Sequence, residues 1–247
     1  MEKIAIISDV HGNLVALKQV LDDIKSQKIK HIFCLGDLVA KGSQPKETIE
    51  LIKKECEVVI KGNCDDIVSS NCSTKEHLWN REKVGKDNIE YLKNLPLFYD
   101  FYMSGLKFKL VHASPNDLYE SINYYDINEK LNLQIENMFK FEDKPDVVIF
   151  GHIHSPILYR YNDKTLVNPG SVSNGCDIIL KNEKLEEISS YMIIEGEYNS
   201  KEVASISYKI VKIPYDYKRE VENLAKSDMP NKEMAVNELL TGIYVKR

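Results

Sequence analysis

Ile4-Ala5-Ile6-Ile7-Ser8-Asp9-Val10-His11-Gly12-Asn13 is the stretch that decides how this chain folds. Its four consecutive apolar residues, three of them β-branched, read as a strand covered on both faces. The run then breaks into polar residues. Asn13 is placed to cap a helix whose apolar side chains Leu14, Leu17, Leu21 and Ile24 recur at helical spacing. The same pattern repeats twice. His31 to Leu35 reads as a second strand ending in Gly36-Asp37, after which Ser43 and Pro45 open a helix with Ile49 and Ile52 on one side. Val58-Val59-Ile60 reads as a third strand ending in Gly62-Asn63. Strands alternating with helices over the first 63 residues predict right-handed crossovers and a parallel sheet.

The pattern changes further along. Residues 66 to 95 read as helical and polar, with Trp79, Ile89, Tyr91 and Leu92 turned inward. Tyr99–Met103 and Lys107–Val111 flank Ser104-Gly105 as a hairpin. Asp126 starts another helix, with Glu129 as its capping-box partner and Ile127, Leu131, Ile135 and Met138 as its apolar stripe. Val147–Phe150 is a buried strand ahead of Gly151-His152. Leu158–Tyr161, Thr165–Val167, Tyr191–Ile194 and Ser205–Val211 then predict a second sheet, largely antiparallel. From Tyr215 to Gly242 the chain reads as two short helices split at Pro230. The expected organisation is one domain over residues 1–213 with a helical tail, 214–247, packed on it.

Composition narrows the function. The chain has 247 residues, 43% apolar and 29% charged, the balance of a globular protein with a real core. Lys plus Arg is 33 against 38 for Asp plus Glu, a formal charge of -5. That argues against a dedicated nucleic-acid binder, which normally carries a basic surplus. Cys34, Cys56, Cys64, Cys72 and Cys176 are odd in number, and none forms a CxxC pair, so they read as reduced thiols. No apolar stretch approaches the ~20 residues a membrane helix needs. The amino terminus lacks the pattern of a signal peptide. The expectation is a cytoplasmic protein with no membrane partner; a homo-oligomer stays open.

The informative fact is where the polar residues sit. Asp9 and His11 follow the first strand, Asp37 the second and Asn63 the third; His112 follows the hairpin, and His152 and His154 follow the next buried strand. In open α/β sheets, functional groups gather at the carboxyl ends of strands. Five strand ends therefore deliver seven nitrogen or oxygen donors to one edge, four of them among the six histidines of the chain. Each piece alone is as easily a helix cap or a turn. Their combination in this order is far more specific. His31 and His77 lie outside the set, and Tyr124-Tyr125 reads most simply as packing.

Ser-Asp-Val-His-Gly-Asn (8–13), Gly-Asp-Leu-Val (36–39), Gly-Asn-Cys-Asp (62–65), Val-His-Ala-Ser-Pro (111–115), Gly-His-Ile-His-Ser-Pro (151–156) and Asn-Pro-Gly-Ser-Val (168–172) together resemble the signature blocks of the calcineurin-like metallophosphoesterases. Gly-Asn-Cys-Asp and Ile213-Pro214-Tyr215-Asp216 resemble the bacterial and archaeal small phosphodiesterase branch. The resemblance implies a four-layer α/β/β/α sandwich and two divalent transition-metal ions, Mn first, with Fe, Zn, Co or Ni as further candidates. Asp9, His11, Asp37 and His154 would hold the first ion. Asp37, Asn63, His112 and His152 would hold the second, and Asp37 would bridge. Donors without thiolate suit such ions better than a structural zinc. Two ions ~3.5–4 Å apart clamp a phosphate and acidify a water that attacks phosphorus, so no protein nucleophile is needed. Asp37, Asn63 and His112 are the residues most directly tied to that chemistry, and the substrate would be a small phosphodiester or nucleotide, such as a dinucleoside polyphosphate.

The chain departs from the family in two places. Many relatives carry a His after the Asn of the third block, where it acts as general acid or binds the phosphoryl group; here the position is Cys64, a weak donor read as structural. Asp65 and Asp66 read as caps of the following helix. From Gly175 to Ser189 the chain has Asn-Gly-Cys-Asp and a Lys- and Glu-rich stretch in place of an Arg- and Pro-containing loop, so substrate contacts carried there do not transfer. A phosphoprotein phosphatase and a non-catalytic binding scaffold on the same fold are the alternatives. The intact seven-residue set speaks against the scaffold.

Overall fold

The computed structural model describes residues 1–70, 72–120, 129–173, 178–181 and 184–241. The opening strand, β1 (Glu2–Ile7), alternates between two interiors. Ile4 and Ile6 enter a core between two sheets, while Ala5 and Ile7 enter a core beneath helices. Both faces are covered, which is why the strand is a continuous apolar run. β1 pairs in parallel with β2 (His31–Cys34), and β2 with β3 (Val58–Val59), as the alternating pattern predicts. Between them run α1 (Leu14–Ser26), capped by the Asn13 side chain accepting from the Ala16 N–H at 3.0 Å, and α2 (Pro45–Glu55), with proline in its first turn.

The helical stretch expected over 66–95 is made of two helices. α3 (Asn63–Ser69) begins at the third motif itself, and α4 (Lys75–Lys93) is broken at Gly85, whose φ of 77° leaves the helical region. Trp79, Ile89 and Leu92 are buried as expected, and Tyr91 is half-buried against the same core. The hairpin forms as β4 (Phe98–Met103) and β5 (Leu106–Val111). α5 (Glu129–Met138) buries Ile135 and Met138; its predicted cap at Asp126, with Ile127, lies outside the described residues.

The second sheet has the order β4-β5-β6-β8-β7, with β6 (Val147–Phe150), β7 (Pro156–Tyr161) and β8 (Lys164–Pro169). Its β5–β6 and β6–β8 pairs are parallel, so it is mixed. Tyr191–Ile194 and Ser205–Val211 do not belong to it. Tyr191–Ile194 lies in β10 (Lys184–Gly196), and Ser207 to Val211 of the other in β11 (Ser207–Pro214); these extend the first sheet to the order β11-β10-β1-β2-β3, with β9 (Ile178–Lys181) paired to β10. The chain returns to the free edge of β1, which β2 leaves open, and a strand's own apolar pattern does not name its neighbour.

Four layers result, α/β/β/α: α1, α2 and α4 on the first sheet, the second sheet behind it, and α5 on the far side through Val111, Val148, Phe150 and Leu166. The tail forms α6 (Tyr217–Lys226) and α7 (Lys232–Thr241), split around Pro230 as expected, with Leu224, Met229 and Leu239 against Trp79. Among the described residues no helix is long and apolar enough to cross a membrane.

Phe33 is wholly buried at the centre of the inter-sheet core, edge-on to Phe101 with ring centroids 5.6 Å apart. Phe33→Ala should therefore lower unfolding free energy by about 3–5 kcal/mol, read as a shift in the denaturant midpoint at constant m-value.

Candidate metal centre

The donors expected at five strand ends meet at one edge of the sandwich. Asp9 and His11 leave β1, Asp37 leaves β2, Asn63 opens α3 after β3, His112 follows β5, and His152 and His154 follow β6. Five of these residues hold left-handed backbone: Asp9 (φ 56°), His11 (50°), Asp37 (54°), His152 (68°) and His154 (59°). Non-glycine residues rarely sit there, and each such residue costs on the order of 1–3 kcal/mol that the surroundings must hold in place. Backbone bonds between the loops do the holding: Asp9 N to Gly36 O at 3.1 Å, His11 N to Asp37 O at 2.8 Å and Gly12 N to Leu38 O at 2.8 Å.

The Gly36 and Gly62 loops touch backbone to backbone. A Cβ on Gly36, whose φ is 95°, would lie 2.3 Å from the Gly62 nitrogen, and one on Gly62 would lie 2.2 Å from the Asp37 carboxylate. Only glycine permits this approach. Asp65 locks it, accepting from the N–H groups of Asp37 (2.8 Å), Leu38 (2.8 Å) and Gly62 (2.9 Å). Its role is thus wider than the predicted helix cap. Burial and the Asp37 charge push the Asp65 carboxyl up to about 7, while the backbone donors oppose them.

The imidazoles are aimed by backbone carbonyls. His11 Nδ1 donates to Val39 O at 3.1 Å and His112 Nδ1 to Leu35 O at 2.8 Å, which turns both Nε2 atoms into the site. There, His11 Nε2 faces His154 Nε2 at 3.0 Å. Asn63 Oδ1 faces His112 Nε2 and His152 Nδ1, each at 2.9 Å. Asp37 Oδ1 lies 3.5 Å from His112 Nε2 and its Oδ2 3.8 Å from His11 Nε2, so this carboxylate reaches both sets. Asp9 Oδ1 is buried with no hydrogen-bond partner, 3.3 Å from His154 Nε2. Imidazole nitrogens and an amide oxygen gathered around an orphaned carboxylate oxygen are what a cation would fit. Asp9, His11 and His154, and likewise Asp9, Asp37 and His112, bring donor atoms within 4.8 Å of one another and could hold metal.

Charge in the site follows the same geometry. Burial disfavours the Asp9 and Asp37 carboxylates, yet facing imidazoles hold both below the ordinary range. Burial, reinforced by the Lys41 ammonium, pushes His11 down to about 3, and burial with the neighbouring His112 lowers His152. For His112 burial is overcome by Asp37 and Asp9, which raise it.

Cys64 stands beside the centre, its sulfur within 4.8 Å of donor atoms of His11 and Asp37, and its N–H donates to Asp37 Oδ1 at 2.8 Å. Burial and Asp37 push its thiol well up, so it stays protonated and is a poor ligand. The sequence reading missed Lys41, which is buried, holds φ 60°, and stands close enough to His11 and Cys64 to act on both charges. A lysine in a polar loop carries no local sign of burial. It also missed Tyr119, whose hydroxyl donates to Asp66 at 3.1 Å. Asp66 lies 3.8 Å from the Lys61 ammonium, on the rim of α3. His31 lies outside the centre against Glu57 and Glu2, and His77 stands in the first turn of α4, both as expected. Tyr124, Tyr125 and Cys176 lie outside the described residues.

Comparison with known proteins agrees with this geometry. An uncharacterized protein of Methanocaldococcus jannaschii is 31% identical over 253 aligned positions, spanning 92% of this chain and 93% of its own. A metallophosphoesterase from Sphaerobacter thermophilus superposes with a TM-score of 0.75 at 23% identity, over 98% of this chain and 99% of the other. A hypothetical protein from Pyrococcus horikoshii does so at 0.80 and 19%, over 99% and 100%. These two solved structures share the fold. A model of the calcineurin-like phosphoesterase superfamily domain matches residues 2–198, and the chain belongs to that superfamily.

Proposed function

We propose that this chain is a dinuclear metal-dependent phosphoesterase acting on a small phosphodiester or nucleotide, with dinucleoside polyphosphates as candidates. The observation that carries the reading is the convergence of these groups, His11 with His154, and Asn63 with His112 and His152, beside the buried and unpartnered Asp9 oxygen. Asp9, His11, Asp37 and His154 would hold one ion, and Asp37, Asn63, His112 and His152 the other. Mn is the leading metal. Bound there, the ions supply Lewis acidity and an acidified water.

The chain's own residues then divide the remaining work. Lys41 stands buried beside the centre, where its ammonium suits a polyanionic phosphate. Cys64 occupies the place where an acid would protonate a leaving group, and its raised thiol pKa makes it a poor donor. Tyr119, raised to about 12 by burial and Asp66, is no better acid near neutrality. Leaving groups that depart as stable anions are favoured. The free thiols of Cys34, Cys56, Cys64 and Cys72 fit a reducing, cytoplasmic setting, and we retain 1–213 as the catalytic unit with 214–247 as its tail.

Chelation should abolish phosphoesterase activity, and full activity in metal-stripped protein would sink the reading. Asp37→Ala should cost both ions in metal analysis, whereas His31→Ala should cost none.

Metal uptake should also release protons. His11 and His152 are lowered and arrive neutral, but His112 is raised and carries a proton to a higher pH than an ordinary imidazole; ligation must displace it. Affinity should therefore rise with pH through the neutral range. Calorimetric titration in buffers of differing ionisation enthalpy should show net proton release on metal binding at neutral pH; none released would remove His112 from the ligand set.

Cys64→Ser should keep turnover within about tenfold, since a positioned acid typically contributes ~10²–10⁴. In a matched series of phosphodiesters, kcat/KM should fall steeply as leaving-group pKa rises. Alkyl esters cleaved as fast as aryl ones would reveal an acid at work.

A further inference from the structure

The tail reaches the metal centre from behind, and it does so on one side. Glu220, on α6, is wholly buried, and its Oε1 accepts from the Ser43 N–H at 2.7 Å. Ser43 follows Gly42, whose N–H donates to His11 O at 2.6 Å, and precedes Gln44, whose N–H donates to Gly12 O at 3.0 Å. Glu220 therefore grips the strap that closes over the His11 turn. Asn223, one turn further along α6, adds a 3.4 Å bond from its Nδ2 to Gln44 Oε1.

The second grip is Tyr215. Its buried hydroxyl donates to Ser173 O at 2.9 Å and accepts from Asn13 Nδ2 at 3.3 Å. Ser173 N in turn donates to Asp9 O at 3.2 Å, and Asn13 directly follows the His11-Gly12 turn. Both grips thus end on the loops that carry Asp9 and His11, with Asp37 laced to them through the His11 N to Asp37 O bond. On the other side, Gly62 just before Asn63 is held by Asp65, His112 by Leu35 O and His152 by Asp9, all within the sandwich.

This asymmetry matters because Asp9, His11 and Asp37 all hold left-handed backbone that relaxes unless its surroundings forbid it. We propose that Glu220 and Tyr215 are positioning residues for the Asp9–His11 side of the centre, so that the carboxyl-terminal segment sets the affinity of the first ion more strongly than that of the second, which shares Asp37. The inference rests on the two-ion reading above. A ligand set misplaced by a fraction of an ångström loses affinity even where the ligands survive, and partners outside the coordination sphere typically contribute 10–100-fold.

The test uses the full-length chain and reads metal binding, not turnover. Mn²⁺ isotherms, with Co²⁺ spectra alongside, should show two steps in the unmodified protein. His154→Ala should remove one and Asn63→Ala the other, which identifies them. Glu220→Ala and Tyr215→Phe should each weaken the step that His154→Ala removes by about tenfold or more and leave the second in place. Glu220→Gln, which keeps an acceptor oxygen for the Ser43 N–H, should restore most of the loss. Phe101→Leu, in the inter-sheet core far from the tail, should lower the melting temperature without separating the steps. If Glu220→Ala does not fold, Tyr215→Phe removes a single hydroxyl and still decides the matter. Equal weakening of both steps, or no change in either, overturns the proposal. A wild-type chain that takes up fewer than two ions overturns the dinuclear reading instead.

Discussion

Everything at the functional edge depends on one carboxylate, that of Asp65, gathering the N–H groups of Gly62, Asp37 and Leu38. Those donors belong to two loops that β2 and β3 deliver separately. Without an acceptor between them, three buried N–H groups would be orphaned at about 1–3 kcal/mol each. With it, Gly36 and Gly62 are pressed so close that neither can carry a side chain. The pressure places the Asp37 carboxylate between His11 on one side and His112 on the other. A bridging position is thus a product of backbone packing before it is a property of the aspartate.

The sandwich explains why such packing can be sustained. Five site residues hold unfavourable backbone, and the strands feeding them are anchored in cores on both faces of β1 and of β6. Turns at the ends of such strands cannot relax by shifting the strands, because close-packed interiors resist volume change. Strain is therefore stored where the donors are, and the cost is offset in the core.

The same division explains what could be read from the sequence. Donor residues at strand ends were legible because strand, turn and cap are each local: Ile4–Ile7, the Asp9–His11 turn and the Asn13 cap lie within ten residues. The destinations of β10 and β11 were not, since Tyr191 and Ile193 facing helices and Met192 and Ile194 facing the second sheet make a strand apolar on both sides that either sheet could accept. The break between α3 and α4 was hidden in a polar stretch with no core to reveal its phase. Burial of Lys41 and the reach of Glu220 to Ser43 join residues that no short window contains.

Charge supplies the last constraint. Asp9 and Asp37 are ionised and His11 and His152 held neutral, while Lys41 contributes a cation within reach of His11. On the proposed two-ion reading, two carboxylates would not neutralise two divalent ions, and the Lys41 ammonium beside them would widen the excess. Such a site would be incomplete electrostatically until an anion with several charged oxygens entered it, because desolvated like charges repel strongly in a buried setting. A phosphate group answers that need, and a second phosphate attached to it answers it better. On that reading a preference for phosphate esters would follow from the imbalance, and Cys64, neutral and poorly acidic, would leave it undiminished.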